Sequence, residues 1–115
     1  MTWNSFHNRG EILREAMDIA DARRNGVLPM DLDGVRAVFA DETDLLGAMM
    51  LKWHTRLSGN VERALADQPL DLEAAVANAW RDTARQMPGV RAIMDRSAVH
   101  ADHAELHLVL ERAAE

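Results

Sequence analysis

Apolar residues return every three or four positions along most of the chain, which is the period of an α-helix with one buried face. The first such stretch runs from about Ser5 to Arg24 and ends at Asn25-Gly26, where both residues tolerate the left-handed conformation of a helix C-cap. Pro29 then prevents the helix from continuing. The pattern predicts a first helix with an apolar stripe of Phe6, Gly10, Leu13, Met17 and Ala20, widened by Ile12, Ala16 and Ile19.

Two further helices are predicted in the middle of the chain. A short one runs from about Asp31 to Ala40, with Asp31 or Asp33 as its N-cap. The longest extends from Glu42 to Asp67, and Ser58-Gly59 bends it without changing its apolar phase. The short helix has Leu32, Val35 and Phe39 on one face. The long one has Leu46, Met49, Met50, Trp53, Leu57, Val61, Ala64 and Leu65.

Asp71 is the predicted N-cap of a fourth helix from Leu72 to Gln86. Met87-Pro88-Gly89 ends this helix, and Pro88 suits the first position of the next one. No helix breaker follows, so we expect either one helix from Pro88 to Ala113 or two shorter ones that meet near Ser97. The positions predicted to face inward on the fourth helix are Leu72, Val76, Ala79, Trp80 and Ala84.

The segment after Pro88 is apolar on two nearly opposite sides. A helix of this kind is covered on both sides, either at the centre of a bundle or between two subunits. For a chain of 115 residues a second subunit is the simpler cover, so we expect a homodimer through this C-terminal helix. One face consists of Val99, His103, Leu106 and Leu110. The other, which we assign to the dimer interface, consists of Met94, Ala101, Ala104 and Leu108.

Composition agrees with this pattern. The 115 residues suffice for one domain, residues 1–115, and a core of leucine, valine, methionine and alanine suits close-packed helices. The predicted fold class is all-α, a single-domain bundle of four to five helices.

A net charge of −6 argues against a nucleic-acid binder, which needs a basic face. The first residues lack the apolar core of a signal peptide, and no apolar run approaches the roughly 20 residues of a membrane span. We expect a soluble, cytoplasmic protein.

Three of the five histidines, His100, His103 and His107, are spaced by three and four residues and are followed by Glu111. On a helix these side chains fall on one stripe, where they could bind a transition metal such as zinc or iron. One helix offers a metal two ligands at positions four apart, here His103 and His107, so other elements must complete the site. Further candidate ligands are His7, Glu11 and His54. The alternative is a solvated border of a packed helix, with His107 paired to Glu111.

The spacing of His7 with Glu11 and of His103 with His107 resembles in part the ligand spacing of hemerythrin-like bundles. The chain lacks their terminal His-x-x-x-x-Asp element, and no histidine lies in the Glu-x-x-His element of carboxylate-bridged di-iron bundles. We therefore assign the chain to neither family.

A small-molecule pocket is a further hypothesis. Trp53 and Trp80 with Met49 and Met50 could line an apolar site, since flexible thioethers adapt to varied surfaces. More often such methionines fill gaps in a core, and core filling is the interpretation we favour.

Catalytic motifs are absent from the sequence. There is no cysteine, no Gly-x-Ser-x-Gly and no Ser-x-x-Lys, and the isolated glycines form no phosphate-binding loop. The leading interpretation is a non-enzymatic protein without a cofactor that acts through self-association or a protein partner. A metal-binding bundle is the first alternative, and a binder of small apolar ligands is the second.

Overall fold

A computed structural model of the protein describes the backbone of residues 3–98 and the side chains of residues 8–98. The described part contains helices and turns and no strand, which confirms the all-α class for these residues. A fifth helix, α5, covers residues 88–98 and reaches the end of the described part. The preceding helices are α1 (Trp3–Arg23), α2 (Val35–Val38), α3 (Glu42–Ala66) and α4 (Leu72–Gln86).

The predicted third and fourth helices agree closely with the structure. α3 ends one residue before the predicted Asp67, and α4 has the predicted bounds. The Asp41 carboxylate accepts a hydrogen bond from the Asp44 amide at 2.9 Å, and the Asp71 carboxylate accepts one from the Ala74 amide at 3.0 Å. These side chains satisfy amide groups that the first turn of a helix leaves without partners, so both helices start where an aspartate caps them.

The predicted bounds and the predicted N-cap of the short second helix are wrong. It covers only Val35–Val38, and its N-cap is Gly34 rather than Asp31 or Asp33. Gly34 has φ 88°, a left-handed conformation that favours glycine, and a Cβ there would also displace the Ile12 side chain, whose Cδ1 it would approach to 2.8 Å. Asp31 is instead paired with Arg23 at 2.8 Å, which ties the end of α1 to the following turn.

The core is one cluster at the meeting point of α1, α3 and α5. The largest fully buried side chains of this cluster are Trp53, Phe39, Leu45 and Met49. Burying apolar surface of this kind contributes roughly 25 cal/mol per Å². The cluster consists of Leu13, Ala16, Ala20, Met30, Val35, Phe39, Leu45, Met49, Trp53, Met87, Val90 and Ile93. Gly10, which the sequence places on the apolar stripe of α1, is exposed.

The start of α5 lies directly on the backbone of α1. The Gly89 amide donates a hydrogen bond to Asp21 Oδ1 at 2.9 Å. A Cβ at Gly89 would overlap the carbonyl of Ala20 and the amide nitrogen of Asp21. The two helices therefore approach each other at a distance that only glycine permits.

Arg9 joins α1 to the α2–α3 connection. Its guanidinium lies over the Phe39 ring, with Cζ 4.3 Å from the centroid, and donates to the Val38 carbonyl oxygen at 2.7 Å. It also pairs with Asp44 Oδ1 at 3.1 Å. This hydrogen-bonded ion pair, and after it the Ala40 amide, which donates to Asp44 Oδ2 at 2.9 Å, holds the pKa of Asp44 below its ordinary value.

We predict that Gly89→Ala destabilises the protein. Because the added methyl group meets backbone rather than a movable side chain, the free energy of unfolding should fall by about 3 kcal/mol. Gly47→Ala is the matched control, since a Cβ there meets nothing within 4 Å and the site is in α3. The free energy of unfolding of the control variant should rise by about 0.5–1 kcal/mol. Urea denaturation of the three proteins checks both values, and equal stability of the two variants would contradict the close approach of α5 to α1.

We predict that Asp44 contributes to acid unfolding. Because its pKa is lowered in the folded state, the ion pair stabilises the protein above the ordinary aspartate pKa, and this stabilisation is lost as the pH falls through the lowered value. Asp44→Asn should therefore be less stable at neutral pH and should lose less stability than wild type between about pH 5 and about pH 2. Asp18→Asn, an exposed change on α1, is the control and should follow the wild-type pH profile. Parallel curves for wild type and Asp44→Asn would contradict this role.

Candidate interaction surface

A buried polar contact determines how α4 lies on α3. Asn60 Nδ2 donates to Thr83 Oγ1 at 2.8 Å, and Thr83 Oγ1 donates to the Ala79 carbonyl oxygen at 2.8 Å. Arg63 donates to Asn60 Oδ1, so among the described residues no buried side-chain nitrogen or oxygen lacks a partner. Sliding α4 along α3 would remove the acceptors that α4 provides for Asn60 Nδ2, and a buried donor without a partner costs about 1–3 kcal/mol.

The burial of Asn60 and Thr83 was not predicted from the sequence. Both are polar, yet each continues an apolar stripe: Asn60 follows Trp53 by seven residues, and Thr83 follows Ala79 by four. Their position in the helical period was the signal that could have predicted this burial.

Two tryptophans, Trp53 of α3 and Trp80 of α4, also contact each other. Trp53 is 1% exposed and Trp80 is 43% exposed, and their rings meet edge to face with centroids 5.8 Å apart. The Arg91 guanidinium of α5 lies 4.6 Å from the Trp53 centroid and 5.4 Å from that of Trp80. Arg91 is itself paired with Asp95 at 2.6 Å. Trp80 is therefore held at one edge by the core while much of its surface faces solvent.

The first half of α4 presents an apolar face to solvent. Leu72 is 59% exposed and Val76 is 42% exposed, and together with Trp80 they follow one another at intervals of four residues. Leu72, Glu73, Val76, Ala77 and Trp80 form one shallow, open surface on this helix. We refer to these five residues as the α4 face.

The predicted inward orientation of Leu72, Val76 and Trp80 is therefore wrong, whereas Ala79 is buried as predicted and Ala84 is half-buried. The reason is the rotation of α4 on α3. The line of Ala75, Ala79 and Thr83 is the covered one, with Ala75 half-buried and the other two buried. Leu72, Val76 and Trp80 form a line turned about 60° from it around the helix and stay exposed. Met50 and Leu65, predicted to face inward on α3, are exposed as well.

Further exposed apolar side chains lie next to the α4 face along the chain. Leu65 is in the last turn of α3, and Leu70 is fully exposed in the connection that precedes α4. A single exposed apolar residue is ordinary on a protein surface, but a contiguous group marks a contact site.

Only part of the candidate metal site lies within the described residues. Glu11 and His54 are exposed on α1 and α3. In the part of the chain whose side chains are described, no three His, Cys, Asp or Glu side chains are grouped so that they could hold a metal ion. The remaining candidates lie outside it: the His7 side chain and residues His100, His103, His107 and Glu111.

The candidate ligand pocket is not assembled as one cavity. Met49 and Trp53 are buried in the core, Met50 is exposed on α3, and Trp80 lies on the open surface of the α4 face. Of the residues assigned to a C-terminal dimer interface, Met94 is half-buried against the core. The other three, Ala101, Ala104 and Leu108, lie outside the described residues.

Comparisons of the chain with protein-family models, with curated proteins and with solved structures found no match. Within residues 3–98, no helix combines the length and the apolar character that crossing a bilayer requires.

The metal hypothesis yields a direct prediction. If His103 and His107 are the central ligands, protein purified without a histidine tag should retain zinc or iron, and His103→Ala/His107→Ala should lose it. His54→Ala is the comparison variant, since His54 is exposed and joins no described cluster, and we expect a far smaller loss from it. Elemental analysis of the three proteins measures the metal directly. Metal-free wild-type protein that folds normally would reject the hypothesis.

Proposed function

We propose that the protein is a non-enzymatic, cytoplasmic interaction module that binds another protein chain through the α4 face. The observation that carries the proposal is the contrast between two neighbouring lines of side chains on α4. Ala79 and Thr83 are buried, whereas the line of Leu72, Val76 and Trp80, turned about 60° from them around the helix, is exposed. Three large apolar side chains in water forgo the free energy that a second surface could recover by covering them.

The α4 face is also rigidly supported. The hydrogen bond between Asn60 and Thr83 holds the helix below it, and Trp53 with Arg91 holds Trp80. An interface residue that is ordered before binding loses less conformational entropy on association. Tryptophan is also a residue type that often dominates the binding energy of an interface. Trp80 is thus a preformed anchor.

A protein helix fits this surface better than a small molecule does. Sites for small ligands enclose most of the ligand surface, whereas the surface beside Trp80 is open along its length. An open apolar helix face suits a second amphipathic helix, whose apolar residues at intervals of three and four can pack along it. The small-ligand and metal-binding alternatives remain predictions.

We predict that Val76→Glu abolishes partner binding without unfolding the protein. A glutamate at the centre of the α4 face would be desolvated in any interface formed there, but it is solvated in the isolated chain. At low protein concentration the free energy of unfolding should change by less than about 1 kcal/mol. Leu51→Glu, at a residue that is 67% exposed on α3, is the matched control.

The measurement is a quantitative co-purification from cell extract with wild type, Val76→Glu and Leu51→Glu as baits. A chain that binds wild type and Leu51→Glu but not Val76→Glu is the expected result, and a second copy of the protein counts among the candidates. If no bound chain distinguishes Val76→Glu from wild type, the α4 face is not an interaction surface and the proposal fails.

A further inference from the structure

We infer that the protein binds a small compound with two phosphoryl groups in a basic cleft beside α3. The cleft lies where α3 meets α1 and the end of α4, and it shares no residue with the α4 face, so the inference goes beyond the proposed function. We use the name basic cleft for the space lined by Lys52, Arg56, Gly59 and Arg63 of α3 together with Met17 and Met87.

The cleft contains every lysine and arginine of the longest helix. These are Lys52, Arg56 and Arg63, and at 100° per residue they fall within about 40° of the circumference of α3. Lys52 and Arg56 are four residues apart, a spacing at which like charges destabilise a helix. In a chain with a net charge of −6, an arrangement that the helix itself disfavours indicates a binding role.

These three charges are not neutralised within the described part of the chain. All of its ion pairs involve other arginines. No aspartate or glutamate of this part lines the basic cleft, and Glu62, next to Arg63 in sequence, lines a neighbouring hollow with His54. Lys52, Arg56 and Arg63 are exposed. Their positive charge is therefore available to an anion from outside.

Neutral amides orient the two guanidinium groups. Arg56 Nη1 donates to Gln86 Oε1 at 3.3 Å, and Asn60 Nδ2 donates to the same oxygen at 3.2 Å. Arg63 donates to Asn60 Oδ1, so one chain of hydrogen bonds connects the two arginines. An amide oxygen positions a guanidinium without neutralising it, and each guanidinium has five N–H donors, of which these bonds use one. Donors that are ordered before binding lose less entropy when an anion binds.

Gly59 keeps the space between the two arginines open. It lies three residues after Arg56 and four before Arg63, which places it on the same line of α3. A Cβ there would be 3.6 Å from Arg63 Nη1, and a longer side chain would extend among the cations. Glycine is unfavourable in the middle of a helix. Space for a ligand accounts for it here.

Two phosphoryl groups match the charges of the basic cleft. A phosphoryl group carries a charge of about −1.5 to −2 and offers three acceptor oxygens, which the planar guanidinium binds through paired N–H groups. Lys52 and Arg56 are separated by about 6 Å along the axis, and Arg63 follows about 10 Å later, so two such groups span the cations better than one. Met17 and Met87 provide apolar surface for the remainder of the compound.

Titration with inorganic pyrophosphate at constant ionic strength tests the site by NMR chemical shifts of the α3 amides. Arg56→Gln and Arg63→Gln should each weaken binding about tenfold or more, because hydrogen bonds from a charged group are lost while glutamine keeps an amide donor for the network. Arg81→Gln is the matched control. Arg81 also donates to an asparagine three residues before it, Asn78, but lies outside the basic cleft, so we expect a change of less than about twofold.

Gly59→Glu tests the same site without removing a cation. The introduced carboxylate precedes Arg63 by four residues, the favourable order for an ion pair on a helix, so it should neutralise the cleft from within. We expect pyrophosphate binding to be lost while urea denaturation shows a stability equal to or above that of wild type. Ala74→Glu, an exposed change on α4 outside the cleft, is the control and should bind like wild type.

The outcomes distinguish the possible ligands. Sulfate that binds as tightly as pyrophosphate would indicate a general anion site and overturn the phosphoryl assignment. A phosphoserine peptide that binds more tightly than pyrophosphate would assign the phosphoryl group to a protein partner and overturn the small compound. No shift in wild type up to about 10 mM pyrophosphate, or equal affinities of wild type, Arg56→Gln and Gly59→Glu, would overturn the basic cleft as a binding site.

Discussion

The hydrogen bond between Asn60 and Thr83 is the contact on which the arrangement of α4 depends. It lies in an apolar helix contact, where another alignment would leave the buried Asn60 amide group without its acceptor on α4. Apolar packing alone would tolerate small shifts of one helix along the other, whereas this hydrogen bond favours one alignment. In that alignment Ala79 and Thr83 are buried while Leu72, Val76 and Trp80 stay exposed, so the exposed face follows from the same contact that stabilises the bundle.

Trp80 connects the core with this face. One edge meets Trp53 and the Arg91 guanidinium, while the remaining surface lies beside Val76. An aromatic ring held in this way is ordered without being buried, which is the state in which a residue contributes most to an interface. α5 also takes part, because Gly89 brings it against α1 and thereby positions Arg91. The interaction surface therefore depends on side chains from three helices.

Local signals in the sequence predicted much of the fold. The aspartate cap at Asp71 and the position of Pro88 define helix ends through short-range hydrogen bonds and backbone geometry, and these ends agree with the structure. The burial of α4 could not be predicted in the same way. Periodicity identifies which side of a helix is apolar, but whether a neighbour covers that side depends on long-range packing. Asn60 and Thr83 illustrate the same limit, since their burial is explained by their mutual hydrogen bond and not by their residue types.

The central claim is that another protein chain covers the α4 face. Carbene footprinting with and without the chain that co-purifies with the wild-type protein measures this most directly, because it reports the solvent exposure of individual side chains. Labelling of Leu72, Val76 and Trp80 should fall when that chain is bound, while labelling of Leu51 stays constant. Equal labelling of the α4 face in the free and the bound protein would contradict the claim.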